Sequence, residues 1–194
     1  HHLLQNDRYR LWDGSSFKEE QKEIPVLLSI ENGSGFLEED EPIQLGLERL
    51  DAMHPFYLSL TWDGENRFGG GNESNVGIKP DGKTVLEHLD GKKIAIDLSH
   101  TSDFLADDIL NHIDKKSLDI PVIASHSNAR SIENKKRNLP DLFIKEIFRR
   151  GGIIGLNFFA PFIGKSADTI FEHIEHMVRL GGENHLCCGA DFFP

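Results

Sequence analysis

Six stretches of the chain are nearly unbroken runs of apolar and β-branched residues, each stopped by a polar or ionisable side chain. They are residues 24–32 (IPVLLSIEN), 56–62 (FYLSLTW), 93–100 (KIAIDLSH), 120–127 (IPVIASHS), 152–159 (GIIGLNFF) and 185–193 (HLCCGADFF). Apolarity that is continuous rather than alternating marks strands buried on both faces, as in a parallel sheet. Segments with helical grammar lie between most of these runs. Residues 45–53 precede the second run. Residues 102–113 offer Ser102 as an N-cap with Asp103 in the first turn. Residues 139–152 have Pro140 near the start, Arg149 and Arg150 in the last turn and glycine after it. Residues 166–182 repeat that grammar, with Ser166 as cap and Gly181 as stop.

Strands alternating with helices predict an α/β fold with a parallel sheet, either a closed barrel or an open doubly wound sheet. About six strand–helix units are countable. An eight-unit barrel typically takes ~250 residues, so a 194-residue barrel is short by about two units. The chain reads as one domain, residues 1–194. Residues 63–80, rich in Gly and Asn, follow a strand and read as an irregular insertion at the functional end of the sheet.

Composition narrows the partners. The formal net charge is −11, which argues against nucleic acid or an anionic membrane surface, since both require a basic footprint. No apolar run approaches the ~18 residues of a spanning helix. The two cysteines, Cys187 and Cys188, are adjacent, a poor geometry for a disulfide. A reducing, cytoplasmic location is the expectation.

Ten histidines invite a search for metal chemistry. In parallel α/β folds the site lies at the C-terminal ends of the strands. Four of the six runs end on a residue able to bind metal or move a proton: Glu31, His100, His126 and Asp191. The other two end near Trp62 and Asn157. Singly, a histidine at a strand end is more often a hydrogen-bonded structural residue, and a lone Glu a cap. Together on one rim they form a donor set suited to zinc. Arg137, just before a helix on the same rim, suits a carboxylate clamp, whereas Lys135 and Lys136 read as a solvated patch. His173 and His176 lie in an amphipathic helix and read as surface or second layer. His54, His88, His112 and His185 receive no functional reading.

The motifs IDLSHTS, PVIASHSNAR, RNLPD, GGIIGLNFF and GADF occur in an order and spacing that resembles the membrane dipeptidase (renal dipeptidase) family of zinc metallopeptidases. SIENG and LTW…N fall where that family has its bridging glutamate and following strand. The resemblance runs from about Ile24 to the C-terminus. It implies a (β/α)8 TIM-type barrel carrying two zinc ions in a complete site. Glu31 would bridge the metals, and His100 and His126 would complete one of them. Arg137 would hold the substrate carboxylate, Trp62 and Asn157 would contact substrate, and Asp191 would act as acid/base. The implied reaction is dipeptide hydrolysis by a metal-bound hydroxide.

Three departures stand beside the resemblance. The family's His-x-Asp pair on its first strand is not found, so two barrel units and two ligands are expected upstream, and at most one zinc is well liganded by this chain. Trp62 stands where many members carry a histidine, and Phe193 where they carry an acidic residue. Alternatives are therefore a truncated or inactive relative with a binding or structural role, or an amidohydrolase acting on a non-peptide amide. An open barrel would expose sheet edges, so the expectation is that either further chain segments cover them or the protein forms a homo-oligomer.

Overall fold

A computed structural model of the protein describes residues 7–12 and 22–191. Its strands are β1 (Tyr9–Leu11), β2 (Ile24–Val26), β3 (Ser29–Ile30), β4 (Tyr57–Ser59), β5 (Ala95–Asp97), β6 (Val122–Ile123), β7 (Ile154–Leu156) and β8 (Leu186–Cys188). Its helices are α1 (Ile43–Met53), α2 (Pro80–Leu89), α3 (Asp103–Lys116), α4 (Asp141–Arg149), α5 (Ala160–Ile163) and α6 (Thr169–Arg179). Every strand pair is parallel.

From β3 onward the strands lie side by side in sequence order. β3, β4, β5 and β6 form one sheet. Ala124 N–H donates to Ile153 O (3.0 Å) and Gly155 N–H to Ala124 O (2.8 Å), which carries that sheet on to β7 and its partner β8. A doubly wound sheet reverses its strand order at a switch point. This arc never reverses, so its winding is that of a β/α barrel and the carboxyl ends of the strands share one rim.

The helices bury the stripes that their sequences predict. α4 presents Phe143, Ile144, Ile147 and Phe148 to the core, a spacing that puts all four on one face. Each is worth about 1.5–3 kcal/mol on burial. Ser102 caps α3 by accepting a hydrogen bond from Leu105 N–H (3.0 Å). At β7, glycine is required by close approach: a Cβ on Gly155 would lie 2.0 Å from the Ser125 carbonyl oxygen.

The structure corrects several readings. A strand outside the six apolar runs, β1, precedes them and pairs with β2. The run 24–32 is not one regular strand: it hydrogen-bonds to β1 through Val26 O and to the start of β4 through Leu28 O, and is interrupted where it changes partner. β8 is not buried on both faces, and Cys187 and Cys188 are free and exposed, because among the described residues only β7 pairs with it. α6 begins at Thr169, and Ser166 meets the Thr169 hydroxyl (3.4 Å) instead of capping a backbone N–H. Helix α2, with Pro80 in its first turn and Asp81 beside it, was not read from the sequence. The last residues of the sixth run, Phe193 among them, lie outside the described residues. No helix among the described residues is long and apolar enough to cross a membrane.

Candidate metal centre

Glu31, His100 and His126 come together on the rim. They follow β3, β5 and β6, and one ligand atom from each lies within 4.8 Å of the others. His100 Nε2 is 2.8 Å and His126 Nε2 is 3.4 Å from Glu31 Oε1. The two Nε2 atoms are 3.0 Å apart. Both imidazoles are buried, while Glu31 keeps an exposed edge.

Each ring is held from its far side. His100 Nδ1 faces Asp63 Oδ1 at 3.0 Å, and a carboxylate oxygen accepts, so Nδ1 carries the proton. His126 Nδ1 faces Ser125 Oγ at 2.7 Å. The Ser125 hydroxyl donates its only proton to Asp97 Oδ2, 2.5 Å away. Toward His126 it accepts, and His126 also carries its proton on Nδ1. Both Nε2 lone pairs therefore point at one another and at a carboxylate oxygen. A proton on one Nε2 relieves one contact; a divalent cation satisfies all three donors at once. Were Nε2 to carry the proton instead, the hydrogen bond from His100 and then that from His126 would hold the Glu31 carboxyl well below the usual carboxylate range, against the opposing effect of burial. The donor set, two imidazole nitrogens and a carboxylate oxygen, could hold a divalent metal ion, and its outer partners are of the kind that orient metal-bound histidines.

The backbone supports this placement at a cost. His100 sits at φ 68°, a left-handed conformation that strains a non-glycine residue by roughly 1–3 kcal/mol. Its carbonyl accepts Asn72 N–H (2.8 Å), so the loop of residues 63–80 pins the strained turn. The same loop supplies Asp63. That loop rests on glycine: a Cβ on Gly71 would lie 1.8 Å from the Trp62 carbonyl oxygen.

The remaining predicted residues surround the cluster. Arg137 is buried, and donates to Ser127 Oγ (2.8 Å) and to the His126 carbonyl (2.9 Å), while its Nε has no partner. Burial pushes its pKa down, and Asp97, Asp191, Glu31 and Asp63 oppose that. The Trp62 ring is exposed, with its centroid 6.0 Å from that of His100. Asn157 Nδ2 donates to Asp191 Oδ2 (3.1 Å), so these two pair with each other. His173 is fully buried, and no surface residue: it accepts Ala129 N–H on Nδ1 (3.1 Å) and its Nε2 meets Ile163 O (2.9 Å). Sequence reasoning passed over Asp63, Asp97 and Ser125. An acid inside the apolar run AIDL was the available signal for Asp97. An apolar cavity of about 610 Å³, lined by Leu11, Trp12, Leu28 and Phe56 among others, contains none of these site residues.

The model of one family, described as membrane dipeptidase (peptidase family M19), matches residues 9–193. Among curated relatives, an uncharacterized protein of the pqqA 5′ region of Klebsiella pneumoniae is 28% identical over 89% of this chain and 66% of its own length. An uncharacterized dipeptidase of Schizosaccharomyces pombe is 30% identical over 70% of this chain and 34% of its own. Among solved structures, an amidohydrolase from Pseudomonas aeruginosa superposes with a TM-score of 0.76 at 24% identity, over 89% of this chain and 52% of that one. A metallopeptidase from Rhodobacter sphaeroides, liganded with a phosphinate mimic of the dipeptide L-Ala-D-Ala, gives 0.73 at 24% identity, over 86% and 49%. The chain thus spans about half to two thirds of these relatives, apart from the yeast dipeptidase, and the structural likeness establishes the shared fold.

Proposed function

We propose, from the premise that this chain belongs to the membrane dipeptidase family, that it forms the metal-holding part of a zinc-dependent dipeptidase. The observation that carries this is the convergence of Glu31, His100 and His126, with both imidazoles turned Nε2-inward by Asp63 and Ser125. Zinc bound there would lower the pKa of a water molecule and polarise the scissile carbonyl. The protein's own groups do the rest. Arg137, a buried guanidinium with an unused Nε–H, receives the carboxylate at the C-terminal end of a dipeptide. Asp191, held by Asn157, faces the scissile bond and passes a proton to the leaving amine. Trp62 supplies an exposed apolar wall for a substrate side chain. The dipeptide mimic bound by the Rhodobacter relative supports this substrate class.

The test is hydrolysis of L-X-D-Y and L-X-L-Y dipeptides by the intact protein, with zinc measured on the same sample. Turnover that needs zinc and is abolished in His126→Ala is the expected result. Absence of bound metal in protein purified without chelator would remove the metalloenzyme reading. Metal without turnover of any dipeptide or small amide would leave a metal-bearing binding protein.

A further inference from the structure

Asp97 is a fully buried carboxylate inside strand β5, and neither the metal ligands nor the groups proposed to meet substrate include it. Its Oδ1 accepts two backbone N–H groups, Ser99 (2.9 Å) and Ser125 (2.8 Å), and its Oδ2 accepts the Ser125 hydroxyl (2.5 Å). Ser125 in turn touches His126 Nδ1 (2.7 Å). A second path leaves Asp97 through Ser99. The Ser99 hydroxyl accepts His126 N–H (3.1 Å) and meets the Ser127 hydroxyl (3.2 Å), which takes the Arg137 hydrogen bond.

We propose that Asp97 is a positioning residue that acts through Ser125 to fix His126 as the Nδ1–H tautomer, leaving Nε2 free to ligate. The argument is one of proton order. Carboxylate oxygens only accept, so Ser125 must donate to Asp97 and accept from the imidazole. Asparagine at the same place reverses the order. The two backbone N–H groups require the side-chain oxygen on the Oδ1 side, which turns the amide NH2 toward Ser125. Ser125 then accepts from residue 97, and its own proton turns to His126 Nδ1 at 2.7 Å in preference to Ser99 Oγ at 3.4 Å. The imidazole proton is driven to Nε2, where it blocks the metal. The size and the backbone contacts of Asp97→Asn are otherwise preserved.

The experiment uses the intact protein with 15N-labelled histidine. Long-range 15N–1H correlation spectra assign the His126 tautomer, with His126→Gln identifying its signals. Wild type is expected as Nδ1–H and Asp97→Asn as Nε2–H. In parallel, Zn2+ affinity is read by competition with a chromophoric chelator. Asp97→Asn is expected to weaken it about 10–100-fold, the usual range for loss of an outer partner. Ser125→Ala, which keeps both backbone bonds to Asp97, is expected to give mixed tautomers, and it decides the question if Asp97→Asn fails to fold. An Nδ1–H tautomer retained in the folded variant, with unchanged zinc affinity, overturns the proposal. The affinity arm rests on the metal-centre reading. If wild type binds no zinc that reading falls, while the tautomer arm still decides the role of Asp97.

Discussion

Arg137 stands apart from the basic stretch around it. It lies in the basic stretch NKKRN, yet it is buried while Lys135 and Lys136 are exposed. Its hydrogen bonds go to a hydroxyl and a carbonyl, and its Nε donor is unused. A buried cation without a touching carboxylate is expensive, and a substrate carboxylate would offset that cost. A charge-assisted pair is worth roughly 1.5–3 kcal/mol, or about 10–100-fold in affinity. Arg137→Lys is therefore expected to raise KM for dipeptides by about that factor with kcat little changed, since lysine lacks the planar fork. Steady-state kinetics on one dipeptide series checks it. A fall in kcat at constant KM would instead make Arg137 a brace for the His126 turn.

Among the elements, α1 is joined to the loop that precedes it through one carboxylate. Glu41 accepts two bonds from Arg49 on α1 (2.5 and 2.8 Å) and one from Glu38 N–H (3.0 Å). Arg49 chiefly, then Glu38 N–H, pulls its pKa down from 4.5 to about 2. A depressed folded-state pKa means stability that is present above the unfolded value and lost as pH falls through the folded one. The difference in Tm between wild type and Glu41→Gln is thus expected at neutral pH, to shrink below about pH 4.5 and to vanish near pH 2. A difference that survives at pH 2 would assign the effect to shape rather than charge. The elements also show what periodicity reaches. α3 was legible because its cap, charges and apolar stripe agreed, and α4 because Pro140, its terminal charges and its apolar stripe did. β1 was not, because three residues that pair, among the described residues, with β2 alone need no apolar run. α2 was missed because Gly- and Asn-rich chain leads directly into it.

For the whole molecule, metal and fold are linked. The three donors come from β3, β5 and β6, so a bound cation ties together strands far apart in sequence. A ligand at 100 times its Kd stabilises the native state by about 2.7 kcal/mol. In a chain of this size each kcal/mol moves Tm by about 2–4 °C. Zinc at that excess is expected to raise Tm by roughly 5–10 °C, chelation to reverse the shift, and His126→Ala to abolish it. Differential scanning calorimetry measures all three. An equal shift in His126→Ala would place the binding elsewhere.

The pattern of apolar runs determined that strands and helices alternate and that the ionisable residues at the run ends share one rim, because a parallel sheet with helical crossovers leaves no other place for them. It thereby singled out Glu31, His100 and His126. Barrel winding was implied only by the family resemblance, since local periodicity is the same for a barrel and an open sheet; the unbroken neighbour order β3 to β8 decided it. Tertiary structure alone supplied what surrounds the cluster. Asp63 arrives from a loop, and Asp97 accepts the hydroxyl of Ser125, 28 residues away in sequence. No spacing rule reports such contacts, because hydrogen bonds between strands depend on register, and register exists only once the sheet has formed.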